Sequence, residues 1–447
     1  MASAAEQLAA NLNLSAFAKA TELKSRIWFT LGALVIYRLG AYIPLPGIDP
    51  HVLAQIFARN SNGILGMVDM FSGGALGRMT IFALAIMPYI SASIIIQLMT
   101  AVMPSLETLK KEGEVGRKKL NQYTRYSTVG LAAIQAYGIA AGLESLRDQV
   151  SGAAVLDPGL FFRITTVITL TGGTVFLMWL GEQITARGVG NGISLIIFSG
   201  IVARMPSALL SMFELGHQGA LPFYVIVMIL AVAIGVVTFI VYMERAQRRI
   251  LVQYPKRQVG NKVFGGDASH LPLKLNTSGV IPPIFASSLL LLPATLASFN
   301  AQSSGWLGWV AAQLGHGKPL YMGLYAALIL FFCFFYTAIV FNPTETADNL
   351  RKYGGFIPGI RPGKNTADYL DYVLTRLTVV GALYLAAVCL LPEYLVSQYS
   401  VPFYFGGTSL LIVVSVTMDT VAQIHSHLLA HQYEGLIKKA KLRGRRG

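Results

Sequence analysis

Three histidines near the C-terminus, His425, His427 and His431, form the one local cluster of metal-ligand side chains in the sequence. On a helix, His427 and His431 lie four apart and share a face, a spacing able to hold a divalent metal; a solvent-facing tail produces the same pattern with no metal. Nothing else in the chain has the spacing of a reactive site. There is no HExxH zinc site, no GxxxxGK[ST] phosphate loop and no GxSxG nucleophile elbow. Neither a paired Asp nor a Ser/His motif supports an intramembrane hydrolase. The expectation is a protein that is not an enzyme, with no catalytic residue, cofactor or metal.

The residues that lack chemistry are as informative. Charged residues make up 13% of the chain and hydrophobic ones 54%, against about 25% charged in a soluble domain. Met79–Leu106, Gly279–Gly317 and Pro319–Thr344 contain no Asp, Glu, Lys or Arg. About 20 apolar residues cross a bilayer as a helix. Spans are predicted at 24–43, 79–103, 124–143, 160–180, 193–213, 222–243, 279–299, 320–341, 373–391 and 403–422. Cys333 and Cys389 fall inside them, away from any extracytoplasmic disulfide. Arg38, Arg163, Arg204 and Asp419 fall near span ends, where long side chains reach toward water. Span interiors almost bare of ionisable groups argue against a small-solute secondary transporter driven by protons or sodium, the main alternative reading.

Basic loops resist translocation and so report orientation. Only Arg38, Arg59, Arg78, Arg147, Arg163, Arg204 and Lys318 lie on one face; the rest of the 35 lysines and arginines lie on the other. Both termini are therefore expected in the cytoplasm. Topology and anionic phospholipid account for the net charge of +14, and the two long basic loops also suit a docked cytosolic partner. The first residues lack the apolar core and cleavage site of a signal peptide. The first span is expected to act as its own insertion signal.

The chain is expected to divide into a cytoplasmic amphipathic N-terminal segment (1–23), an N-terminal half (24–213), a C-terminal half (222–422) and a basic tail (423–447). Five spans in each half suit two copies of inverted topology. Cytoplasmic hairpins are predicted at 244–278 and 342–372, rich in basic residues and turn formers and anchored by Val259, Val263, Phe264, Phe356 and Ile357. Between the first two spans, Gly63–Leu76 is apolar but too short to cross about 30 Å as a helix. It is either a surface loop or a half-helix re-entering a cavity, with Gly73 and Gly74 as a hinge.

Six segments carry a family resemblance: IFALAIMPYISASIIIQ (Ile81–Gln97), GEQITARGVGNGI (Gly181–Ile193), HLPLKLNTSGVIPPIFASS (His270–Ser288), VFNPTETADNL (Val340–Leu350), GFIPGIRPG (Gly355–Gly363) and VPFYFGGTSLLIVV (Val401–Val414). In this order, over about residues 15–443, they resemble the SecY/Sec61-alpha family of translocon channels. The resemblance implies an all-α polytopic fold of ten transmembrane helices in two pseudo-symmetric inverted halves, with a short re-entrant plug. It implies a pore ring of Ile86, Ile90, Ile193, Ile197, Ile284 and Ile412. The plug would be residues 63–74, including Gly63, Ile64, Leu65, Met67, Phe71, Gly73 and Gly74. Ser91, Gln97, Asn276 and Ser288 would line a lateral gate, able to hydrogen-bond across its seam. Lys256, Arg257 and Arg361 would dock the SecA ATPase and the ribosome with its nascent chain. Further implied partners are SecE and SecG subunits, SecDF and YidC, with unfolded preproteins as the cargo. The implied location is the bacterial inner membrane.

Overall fold

The computed structural model describes residues 21–49, 52–53, 69, 72–145, 147–148, 152–153, 155–218, 222–254, 257–259, 262–264, 268–299, 318–399 and 407–443. The predicted amphipathic segment before residue 21 lies outside these. Each predicted span has a helix: α1 (Thr21–Gly40), α2 (Met87–Val102), then, after the short α3 (Pro104–Lys111), α4 (Glu114–Ser145), α5 (Leu160–Arg187), α6 (Gly192–His217), α7 (Phe223–Arg245), α8 (Ile281–Phe299), α9 (Pro319–Val340), α11 (Lys364–Tyr399) and α12 (Gly407–Arg443), with α10 (Pro343–Lys352) between α9 and α11. Among the described residues six helices are long and apolar enough to cross a membrane, and a seventh if α2 and α3, bent by 99°, are one span. The protein is mostly helical, with a few short strands, of which β1 (Arg147–Asp148) and β2 (Gly152–Ala153) pair antiparallel.

Helix α1 buries Leu23, Thr30, Ala33, Tyr37 and Gly40, one stripe at spacings of three, four and seven. The remaining faces carry large apolar side chains outward: Trp28, Val35 and Leu39 are exposed. Apolar residues facing outward are what lipid, but not water, favours.

The second span departs from expectation. A helix over 79–103 would set the ring of Pro88 against the carbonyl of Leu84, a clash that breaks helices. The helix instead begins at Met87, with Pro88 in its first turn, where a missing N–H costs nothing. Residues 72–86 turn irregularly, and Met79 and Ala85 adopt left-handed backbone. At 16 residues, α2 is about 24 Å long, so the irregular stretch completes the depth. Irregular backbone at that depth must be buried in protein, and it is: Ser72, Ala75, Met79, Thr80, Ala83 and Ile86 are all buried. Its amides are used, Leu45 N donating to the Met79 carbonyl at 2.9 Å and Ile81 N to the Ile43 carbonyl at 3.1 Å.

Of the two long basic loops, 244–278 and 342–372, only the first is a β-hairpin. Strand β3 (Gln247–Gln253) pairs antiparallel with β6 (Ala268–Lys274), Gln247 opposite Lys274; β4 (Arg257–Val259) pairs with β5 (Lys262–Phe264) at the tip. The second loop was predicted as a hairpin but holds α10 followed by a Gly/Pro turn. Asn342 caps α10 with its side chain on the amides of Thr344 and Glu345, and Pro343 takes the first helical position. The two loops are one body. Gln253 and Phe356 exchange both backbone hydrogen bonds at 2.9 Å, and Ile250, Val252, Leu273 and Ile357 share a small core with Leu370 and Val373 of α11.

Candidate functional site

The largest core of the protein joins both halves of the chain. Ile86 and Ile90 of α2, Ile197 of α6 and Ile412 of α12 are buried in it, and Ile193 and Ile284 pack against it half-buried. At its centre α2, α6 and α8 enclose a cavity of about 10 Å³, lined by Ala85, Ile86, Met87, Ile90, Ile196, Ile197, Ile284 and Ser287. By this measure the space holds about one water. The structure therefore brings together four of the six isoleucines at the cavity, with Ile193 and Ile412 in the surrounding core.

Local sequence explains how they meet. The Ile90 amide donates to the Ile86 carbonyl at 3.1 Å, so the two side chains stack one turn apart although Ile86 stands at the helix cap. On α6, Ile193 follows a close crossing with α5: a Cβ on Gly192 would lie 2.0 Å from the Gly181 carbonyl oxygen. Asn191 caps α6 by accepting from the Ile193 amide at 3.1 Å. The flanking turn is tied down by Thr30 of α1, whose hydroxyl accepts from the Val189 amide at 3.0 Å, and by Gln423 of α12, which accepts from Gly190 at 2.8 Å. The GEQITARGVGNGI segment is thus the joint that aims α6 at the cavity.

Chemically the site is inert. Ser287 is the one lining residue with a hydroxyl, and it donates to the Ile284 carbonyl at 2.9 Å. The other lining side chains are aliphatic or thioether, so the cavity wall offers a polar group little to bind. Sequence reasoning missed Ala85, Met87, Ile196 and Ser287. Ala85 and Met87 enter through the irregular approach to α2, and only Pro88 signalled that departure from the helix.

Ser91 and Gln97 lie on α2, Ser288 on α8 and Asn276 just before it, and the bonds of Asn276 and Gln97 do not cross between α2 and α8 as expected. Asn276 donates to Glu244 of α7 at 2.7 Å and to the Gly279 carbonyl at 3.1 Å, and accepts from Ser278 and the Gly279 amide. It folds the turn between β6 and α8. Gln97 donates to Ser93 on its own helix at 3.3 Å. Gln97 Oε1 and Ser288 Oγ are buried without a partner, and Ser91 is buried. Parting the two helices at Gln97 and Ser288 would thus break no bond of those atoms.

Other predicted residues divide by how far they are described. Gly63, Ile64, Leu65, Met67 and Phe71 lie outside the described residues, whereas Gly73 and Gly74 take left-handed conformations at φ 67° and 86°. Lys256 also lies outside; Arg257 is described only through its backbone, opposite Phe264. Arg361 is exposed in the Gly/Pro turn after α10. His425 and His427 are exposed on α12, and the side chain of His431 lies outside the described residues. The arginines near span ends make specific contacts, although the Arg163 side chain stays 37% exposed. Arg163 grips Glu144 at 2.6 and 2.8 Å, Arg204 pairs with Asp69, and Arg38 donates to the Gly73 carbonyl at 3.2 Å.

Comparison with known proteins places this arrangement. Protein translocase subunit SecY of Rickettsia conorii is 61% identical over 425 residues, 94% of this chain and 97% of that one. Three solved structures share the fold, each covering 91% of this chain and 92% of theirs. One is described as a protein conducting channel (TM-score 0.67, 17% identity), one as SecY with a plug domain that stabilises the closed state and maintains a membrane seal (0.64, 17%), and one as canine Sec61 in a ribosome–channel complex (0.62, 16%). The SecY family model matches residues 80–421, the stretch that supplies every wall of the isoleucine cavity, and the chain belongs to the SecY family.

Proposed function

We propose that this chain is the channel subunit of a bacterial protein translocase, passing unfolded preproteins across the inner membrane and releasing apolar segments sideways into lipid. The observation that carries the reading is the narrow cavity walled by Ile86, Ile90, Ile197 and Ile284 where α2, α6 and α8 meet. Its aliphatic lining suits a conduit for polypeptide of any sequence and gives a small solute nothing to bind, so the secondary-transporter alternative finds no support. The ten helices are read as ten crossings, in halves 24–213 and 222–422, with both termini cytoplasmic. Residues 63–74 are read as the plug that seals the outer side, and the seam of α2 and α8 as the lateral exit.

The sequence carries no GxxxxGK[ST] phosphate loop, which suits a channel whose work comes from outside it. The joined cytoplasmic loops, with Arg361 exposed on them, are read as the landing surface for the SecA ATPase and for ribosomes bearing nascent chains. SecE and SecG are the expected membrane partners, with SecDF and YidC as accessory ones. Reconstitution tests this: vesicles holding the chain with its co-purified small subunits take up an unfolded preprotein when SecA and ATP are added. Uptake of small solutes with no preprotein uptake would refute it.

A further inference from the structure

Arg204 stands on α6 seven residues beyond Ile197, about 10 Å further along the helix. On the orientation above, that is outward from the cavity. There it forms an ion pair with Asp69, whose side chain is only 10% exposed. The pair spans 135 residues of sequence.

Asp69 organises the loop that follows it. One carboxylate oxygen takes Arg204; the other accepts from the Gly77 amide at 2.6 Å. Its carbonyl accepts from the Gly74 amide at 2.8 Å and the Ser72 hydroxyl at 3.0 Å. Two groups of α1 hold the same loop, Tyr37 donating to the Ser72 carbonyl and Arg38 to the Gly73 carbonyl, each at 3.2 Å. Gly73 rests on α6 one turn beyond Ile197: a Cβ there would lie 2.8 Å from the Gly200 Cα. Loop 72–77 is therefore laid over the outer side of the constriction and fastened to α1 and α6. The attachments from α1 end on neutral carbonyls. Asp69 and Arg204 are opposite charges, largely shielded from water, where attraction is strong and salt screens little.

We propose that Asp69 and Arg204 are positioning residues that fasten loop 72–77 over the closed constriction and set how readily the channel opens. The proposal rests on the reading of residues 63–74 as the seal. Substitutions Asp69→Asn and Arg204→Gln remove one charge each, and Asn keeps an acceptor for the Gly77 amide.

Two readouts in the reconstituted channel with its partner subunits separate the proposal from the reading beneath it. The first is labelling of Ala75→Cys, a buried position, by a membrane-impermeant maleimide; the native Cys333 and Cys389 are buried. The second is resting ion efflux. Each charge-removing substitution is expected to raise the labelling rate and the efflux about tenfold, and the double substitution no further than either alone. An unchanged labelling rate, or single effects that multiply in the double variant, would overturn the proposal. Faster labelling with unchanged efflux would uphold the fastening and refute the sealing role of the loop.

Discussion

Replacing Arg361 by Glu is expected to cut preprotein export by roughly tenfold or more while the membrane complex stays assembled. The side chain is exposed, so its loss disturbs little packing. The backbone that carries it, however, is held. The Arg361 carbonyl accepts from the Thr366 hydroxyl at 2.9 Å, and Ile357, four residues before it, is buried in the core shared by both loops. An exposed cation on an anchored turn suits a partner's phosphate or carboxylate. Reversing such a charge costs about 2 kcal/mol or more, more than tenfold in affinity. Ribosome binding by the parent is expected to weaken steeply with salt, and the variant to show a shallower dependence. The check is export driven by SecA and ATP, beside ribosome binding at low and moderate salt. Export at the parent rate would remove Arg361 from the landing surface.

Gly192→Ala is expected to be at least as damaging, through folding. The added methyl would sit 2.0 Å from the Gly181 carbonyl oxygen and 2.8 Å from Ile184 Cβ. One obstacle is backbone, which cannot rotate away, so α5 and α6 must separate. In a membrane, close packing of this kind is a main source of helix association, and overpacking costs about 1–3 kcal/mol or more. Separation would also move Ile193 and Ile197. Gly235→Ala in α7 is the matched control, since nothing lies within 4 Å of its added methyl; there a helix gains about 1 kcal/mol. Thermal unfolding in detergent should fall clearly for the first and hold or rise for the second. Equal stability of Gly192→Ala and parent would show that the crossing is looser than described.

Much of the architecture was legible because lipid makes composition decisive. A long uncharged run must be a helix in a membrane, and each predicted span has one. The error at the second span shows the limit of that logic. Uncharged residues from Met79 onward average to a span, yet Pro88 forbids helix through Leu84. Hydropathy does not register a missing N–H. The second long basic loop departs from a hairpin for a related reason, since Asn342-Pro343 is a helix start that lies hidden among turn formers.

The site was legible only in part. Isoleucine in a membrane helix is ordinary, and neither spacing nor composition separates Ile86 from dozens of packing residues; the family resemblance supplied the six names. What the fold adds is the convergence of four of them on one cavity. Partners far apart in sequence were beyond reach. Asp69 with Arg204, and Arg125 with Glu182 at 2.6 and 2.9 Å, join residues 135 and 57 positions apart. A reading of local pattern sees an arginine at a span end and infers a side chain reaching for water.

The central claim is that a hydrocarbon constriction seals against ions while giving a moving chain nothing to hold. Its most direct test is the ion conductance and preprotein transit of a channel carrying Ile→Asn at 86, 90, 193, 197, 284 and 412 together, beside an Ile→Leu set at the same positions. The account predicts resting leakage raised at least tenfold and slowed transit with asparagine, and a tight, transporting channel with leucine. Leakage and transit both unchanged in the asparagine channel would contradict it.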